Sequence, residues 1–261
     1  VEVPLTQELE SSTSNRRPGG SQAILLAGGR GTRLRPFAAS FPKPLVPLGD
    51  RPVLEILIRR LRDRGFDRII LCVGHLAPLI QAYFQDGSRF GVSIEYSLEP
   101  GPLGTAGPLA ILHDLDSEFL VCNGDLLTDL DFMALMDAHR QSESLVTVAR
   151  YTLDHEVSLG VLEVDESGAL RGYVEKPVMR YDVSMGAYAF RRAAVERFLT
   201  PGERADLPDL VRRMLAAGER IETWLHPGQW IDIGRPDDYA RAQDLFEADP
   251  AAFMGPDSNS P

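Results

Sequence analysis

Cysteine, tryptophan and lysine are all scarce in this chain, and each scarcity narrows what the protein can be. Its 261 residues include 2 cysteines and 2 tryptophans. Cys72 and Cys122 each lie inside an apolar run, so two buried, reduced thiols are expected instead of a disulfide framework or a thiolate metal site. No apolar stretch approaches the roughly 18 residues that a membrane-spanning helix needs. The N-terminus shows no signal-peptide core, and a cytoplasmic protein is expected. Basic residues are also in deficit: 27 Lys and Arg face 38 Asp and Glu, a formal charge of −11. A nucleic-acid binder needs a basic face, so that class of partner is disfavoured. What remains, at 44% hydrophobic content, is enough apolar material for one sizeable core.

The charge deficit is uneven. Between Gly28 and Arg64 there are nine Lys or Arg against three Asp or Glu, a local basic funnel suited to a small anion. Lysine occurs only as Lys43 and Lys176, each followed by proline. Arginine serves everywhere else. A compact ammonium fits beside a phosphate where a guanidinium does not, so both lysines are candidates for chemistry.

Strand and helix patterns alternate from Gln22 onward. Strands are expected over 22–27, 68–73, 92–97, 118–123 and 144–150, with helices over 52–64, 77–85, 107–112 and 131–141. This alternation implies an α/β fold with a largely parallel sheet and helices on both faces. The second half changes character. A hairpin over 160–164 and 170–175 precedes a strand at 184–190, helices at 193–199 and 207–217, a strand at 221–225 and a helix at 236–246. A flexible leader (1–21), a main domain (22–247, with parts near 22–150 and 151–247) and a polar tail (248–261) are expected. The five histidines lack metal-ligand spacing and are taken as structural.

The densest signal is the stretch from Ile24 to Leu48, ILLAGGRGTRLRPFAASFPKPLVPL. A buried strand breaks into Gly28, Gly29 and Gly31 and then meets arginines and Lys43. Glycines there let backbone N–H groups converge on an anion. The spacing fits neither the Walker loop nor the dinucleotide fingerprint. Two carboxylates, Asp125 in Asn123-Gly124-Asp125 and Asp232 in Trp230-Ile231-Asp232-Ile233-Gly234, end apolar runs. Such placements suit Mg²⁺, which is commonly held by one or two carboxylates plus substrate phosphates.

The pattern L-A-G-G-x-G-T-R-L-x-P with P-K-P-L-V-P resembles the sugar-1-phosphate nucleotidyltransferases (sugar-nucleotide pyrophosphorylases). Within that family the motifs look most like GDP-mannose pyrophosphorylase, and the likeness runs from Gln22 to Phe246. It implies a Rossmann-like three-layer fold with a mixed, mostly parallel sheet. No hexapeptide repeats follow, so the left-handed β-helix of many relatives is not expected. The implied reaction joins an NTP, GTP first, to a sugar 1-phosphate with Mg²⁺, and leaves room for a homodimer.

By the same resemblance the nucleotide would meet Leu26, Ala27, Gly28, Gly29, Arg30, Gly31, Thr32, Arg33, Lys43, Asn123 and Gly124. It would also meet the loop residues Glu99, Pro102, Gly104, Thr105 and Ala106. Arg33, Lys43, Lys176 and Asp125 would be catalytic, with Asp125 and Asp232 as metal ligands. Gly160, Glu175, Lys176, Ser184 and Asp232 would serve the sugar phosphate. Glu99 is either a base reader or a solvated loop carboxylate; as a pure acceptor it matches the adjacent N1–H and N2–H₂ donors of guanine. Ser184-Met185 stands where relatives commonly have Asn, which implies an altered sugar pocket and leaves mannose, a heptose or a cyclitol open. Other NTPs with glucose 1-phosphate, or a non-catalytic nucleotide-sugar-binding homologue, are the alternatives.

Overall fold

Residues Ser21–Leu26 are buried on both sides along most of their length, as a central strand of a covered sheet must be. They form β1. The structure is a computed structural model that describes residues 20–29, 31, 34 and 41–254. After β1 (Ser21–Leu26) come β2 (Pro47–Leu48), β3 (Arg51–Pro52), β4 (Phe66–Val73), β5 (Ser93–Leu98), β6 (Glu118–Asn123) and β7 (Leu126–Thr128). The second half adds β8 (Val146–Glu156), β9 (Val161–Val164), β10 (Leu170–Val174), β11 (Val178–Arg191), β12 (Glu222–Leu225) and β13 (Trp230–Asp232). The helices are α1 (Val53–Asp63), α2 (Ala77–Phe84), α3 (Phe132–Gln141), α4 (Arg192–Phe198), α5 (Leu207–Ala216), α6 (Pro236–Ala248) and α7 (Pro250–Phe253).

The main sheet has the order β12-β8-β11-β6-β1-β4-β5. Strands β6, β1, β4 and β5 run parallel, while β11 is antiparallel to both β6 and β8. Alternation along these strands divides the core. Leu25, Leu71 and Leu120 join Leu57 of α1 and Leu135 of α3 on one face. Ile24, Ile70 and Val121 join Val195 of α4 and Leu210 of α5 on the other. The expected mixed three-layer sandwich is what forms. Among the described residues no helix is long and apolar enough to cross a membrane. Both cysteines are buried and free, and burial pushes the Cys72 thiol up to about 12.

Three expectations need correction. The segment 107–112 is a 3-10 turn over Gly107–Ile111, too short for the expected helix. Strands β8 and β11 run well past 150 and start well before 184, because cross-strand pairs such as Arg180–Asp154 (2.7 Å) satisfy polar residues that read as loop. The expected polar tail is partly core: α6 reaches Ala248, and Phe253 and Met254 are buried beside Phe246. Arg60 of α1 ties that segment down by donating to the carbonyls of Ala252 (2.7 Å) and Leu130 (3.1 Å). Residues 1–19, which hold most of the expected leader, lie outside the described residues, and β1 begins at Ser21.

His139 of α3 is fully buried with Nδ1 2.8 Å from the Thr147 hydroxyl. Desolvation, helped by Arg191 and Arg140, lowers its pKa to about 4. The folded state therefore refuses a proton that the unfolded chain accepts below about 6.5. Stability from this group is complete above pH ~6.5 and declines as pH falls toward 4, by up to about 3 kcal/mol. Urea unfolding at pH 7 and pH 4.5 should show this loss, and His139→Gln should flatten it.

Candidate active site

Parallel pairing aligns Leu26 with Cys72 and with Asn123, so β1, β4 and β6 end on one edge of the sheet. The turns that follow form one cavity of about 620 Å³. Gly28, Gly29 and Gly31 come from the β1 loop, Gly74 and His75 follow β4, and Glu99 to Thr105 follow β5. Asn123 ends β6 with Asp125 just past it, and Asp232 ends β13 with Gly234 just past it. This edge is where ligands sit in open α/β sheets.

The loops fit tightly. A Cβ on Gly28 would lie 2.2 Å from a Glu99 carboxylate oxygen, and one on Gly74 would lie 3.1 Å from the Gly28 carbonyl. An alanine at 28 would therefore displace the Glu99 carboxylate, the flexible end of a side chain, whereas Gly29 faces open space. Glu99 accepts a hydrogen bond from the Leu103 amide (3.3 Å), and its half-burial raises its carboxyl pKa against that bond's pull.

Lys43 opens a 3-10 turn, framed by Pro42 and Pro44, and its ammonium pairs with the Asp125 carboxylate. The Lys43 side chain is only 12% exposed, so this contact is largely shielded from water. Asp232 joins them because β13 pairs antiparallel with β7, setting Asp232 against Leu126, while the Ile233 amide donates to the Asp125 carbonyl (3.2 Å). No group of three or more His, Cys, Asp or Glu side chains that could cage a metal occurs among the described residues. Two carboxylates on one cavity nevertheless fit Mg²⁺, which takes part of its shell from substrate oxygens. The Asp129-Leu130-Asp131 pair does other work. Asp129 accepts from His226 and the Gln229 amide, and Asp131 caps α3.

The structure thus gathers Leu26, Gly28, Gly29, Gly31, Lys43, Glu99, Pro102, Gly104, Thr105, Asn123, Asp125 and Asp232 around one space. Ala27 and Ala106 are buried beneath it, and the Gly124 amide is spent on the Leu26 carbonyl (3.0 Å). Arg30, Thr32 and Arg33 lie outside the described residues. Gly160, Glu175, Lys176 and Ser184 do not line the cavity. They lie on and around a projecting arm, where Tyr173 donates to the Glu175 carboxylate (2.9 Å) and a Cβ on Gly160 would strike the Tyr173 hydroxyl. Met185 is also not where it was expected. It is buried in the core, its carbonyl accepting from Trp230 (2.9 Å), so its bulk does not reshape a sugar pocket.

Among the cavity residues that escaped the sequence reading are two with ionisable side chains, His75 and Arg204. Arg204 belongs to a segment stitched onto the β5 loop. The Ala106 and Gly107 amides donate to the Ala205 carbonyl (2.8 and 3.0 Å), and Ala205 N–H donates to Leu103 O (2.9 Å). Thr105 N–H donates to Asp206 (3.0 Å), and the Thr105 hydroxyl accepts from Leu207 (2.8 Å). Asp206 also holds the Arg204 guanidinium at 3.3 Å.

Comparison with known proteins agrees with this geometry. The nucleotidyl transferase family profile matches residues 22–249, and the chain belongs to that family. A UTP–glucose-1-phosphate uridylyltransferase from Synechocystis is 34% identical, covering 85% of this chain and 62% of its own. A mannose-1-phosphate guanylyltransferase from Mycobacterium tuberculosis is 32% identical, covering 84% and 62%. The chain thus spans about six-tenths of the length of these relatives. Among solved structures, HddC from Yersinia pseudotuberculosis complexed with GMP-PN superposes with a TM-score of 0.67 at 25% identity, covering 87% of this chain and 99% of that one.

The packing at Gly104 and Gly28 makes a direct prediction. Gly104→Ala, at φ +79° with a Cβ 2.4 Å from the Ala205 carbonyl oxygen, should destabilise by about 1–3 kcal/mol, and Gly28→Ala, which displaces only a flexible carboxylate, should stay within about 1 kcal/mol. Urea denaturation of the two variants checks the contrast.

Proposed function

We propose that this chain transfers a nucleotidyl group from an NTP, preferentially GTP, to a sugar 1-phosphate. The carrying observation is a single cavity that gathers a Lys–Asp cluster, a glycine loop, Glu99 and Arg204. A sugar-phosphate oxygen attacks the α-phosphorus, the bond to the bridging oxygen of the β-phosphate breaks, and pyrophosphate leaves. A phosphate monoester is already largely dianionic near neutrality, so no general base is needed. The work left to the protein is positioning and charge neutralisation. The β1-loop amides cradle phosphate oxygens, and Lys43 offsets repulsion between the two anionic substrates. Asp125 and Asp232 would hold Mg²⁺, which supplies further neutralisation at phosphate oxygens. Lys176 and Glu175 are assigned to the sugar phosphate on resemblance.

Base choice follows from donor pattern. Glu99 accepts from the two adjacent donors of guanine, and the Arg204 fork suits its O6 and N7 acceptors. Adenine turns an acceptor, N1, toward Glu99 and an amino group toward Arg204. The GMP-PN complex of the similar Yersinia protein supports guanine. UTP is the second reading, favoured by the uridylyltransferase relative. Uracil offers one donor between two acceptors, a poorer match to a carboxylate.

Pyrophosphate release over a grid of NTPs and sugar 1-phosphates tests this. GTP should be the best nucleotide, and Glu99→Gln or Arg204→Ala should each narrow the margin over other NTPs by about tenfold to a hundredfold. A Glu99→Gln enzyme with its full GTP preference would refute the base assignment. Glu99 must be ionised to accept, and its carboxyl pKa is raised by burial. GTP kcat/KM should therefore fall on acidification at a pH above the ordinary carboxylate range near 4.3. Glu99→Gln should lose that limb of the profile.

A further inference from the structure

Helix α5 begins without the cap its sequence offers. Its N-cap residue is Asp206, a type that ordinarily accepts from the amides of its own first turn. Here the side chain makes no such bond. One of its oxygens instead accepts from the Thr105 amide in the loop after β5 (3.0 Å). Thr105 returns the contact, because its hydroxyl accepts from the Leu207 amide at the first position of α5 (2.8 Å). Each residue thus satisfies the other's segment, 101 positions away in sequence. Ala205, buried beside them, is held through both of its backbone groups. Its amide donates to the Leu103 carbonyl (2.9 Å), and its carbonyl accepts from the Ala106 and Gly107 amides (2.8 and 3.0 Å). The chain of bonds then reaches the cavity, since the Leu103 amide donates to the Glu99 carboxylate (3.3 Å).

We propose that Asp206 and Thr105 form a reciprocal lock that positions the β5 loop and, through Leu103, the Glu99 carboxylate for the nucleobase. Both act as positioning residues, and the proposal rests on the base reading of Glu99 given above. The Thr105 hydroxyl, expected to meet the nucleotide, is engaged with α5 instead. The same Asp206 carboxylate also holds the Arg204 guanidinium (3.3 Å), so one group orders both side chains assigned to the base.

The loop needs such a lock. Between β5 and the 3-10 turn at Gly107 it reads EPGPLGTA, with two prolines and two glycines and no strand pairing of its own. An untethered loop of this kind would have to be ordered when the nucleotide binds, and that cost weakens binding. Fixing it beforehand removes the cost and keeps Glu99 within hydrogen-bonding geometry of one base pattern. The fit at the lock is close. A Cβ on Gly104 would lie 2.4 Å from the Ala205 carbonyl oxygen and 2.7 Å from the Asp206 carboxylate. Loop and helix entry therefore meet backbone to backbone, and a change on one side is transmitted to the other.

Steady-state kinetics and amide hydrogen exchange on the full chain test the lock together. Asp206→Ala and Thr105→Val should each raise the GTP KM about tenfold, as expected for losing a hydrogen bond to a charged group or the bond that answers it. Both should narrow the margin over ATP while leaving kcat and the sugar-1-phosphate KM unchanged. The amides from Leu103 to Gly107 should exchange faster in each. Thr105→Val leaves the Arg204–Asp206 pair in place, so the same rise there assigns the effect to the loop. Asp206→Asn and Thr105→Ser keep an accepting oxygen and should restore most of the KM. The double variant should be little worse than either single one, because the two side chains form one device. Val195→Ala, a core truncation in α4, should lower stability with the GTP KM unchanged. An equal KM shift in Val195→Ala would mean general loosening and overturn the proposal. Unchanged exchange or KM in Asp206→Ala and Thr105→Val overturns it too, as does failure of the conservative pair to restore function. A wild type that prefers another NTP counts against the base reading alone, since the lock must then raise that nucleotide's KM.

Discussion

The parallel pairing of β1 with β4 and β6 is the constraint on which the rest depends. Parallel strands must all end on the same side, so three separate loops are delivered to one edge without any contact among their side chains being required. Each loop brings a different chemistry: a glycine turn after β1, backbone and His75 after β4, a carboxylate after β6. The antiparallel strand β11 interrupts this order beside β6 and marks where the parallel part of the sheet gives way to the second half of the chain. Its crowded crossing is visible at Gly186, which has φ +75° and would place a Cβ 2.4 Å from the Asn123 amide nitrogen.

Electrostatics then reconcile an acidic protein with the anionic substrates proposed for it. The chain carries −11 overall, yet two described cations, Lys43 and Arg204, line the cavity. Each is held by an aspartate, Asp125 or Asp206. Before substrate arrives, Lys43 and Asp125 neutralise each other, so neither is a bare charge in a shielded place. The same arrangement presets both groups for a ligand that brings phosphate oxygens and a divalent cation together.

Much of this was legible from local pattern. The apolar runs of β1, β4 and β6 and the glycine, N-G-D and D-I-G motifs announce themselves, because burial and loop geometry restrict residue type at each point. What was not legible depended on contacts distant in sequence. Arg204 gives no local signal, since only five hydrogen bonds across some hundred residues bring its segment to the β5 loop. Met185 read as pocket bulk because its neighbours match a sugar-binding motif, but the bulge at Ser184–Tyr188 turns it into the core. The arm escaped notice because Asp154, Arg180 and Asp182 look like loop residues until they are paired across two strands. The tail was misread for a similar reason: Phe253 and Met254 are few, but Arg60 reaches across to hold their backbone.

The central claim is that the Lys43–Asp125 cluster is where the nucleotidyl group is transferred. Single-turnover pyrophosphate release with GTP and Mg²⁺, comparing wild type with Asp125→Asn, tests it most directly. The account predicts a rate lower by about 10²–10³-fold or more, with GTP affinity changed far less. A wild-type rate in Asp125→Asn would contradict it and move the chemistry elsewhere.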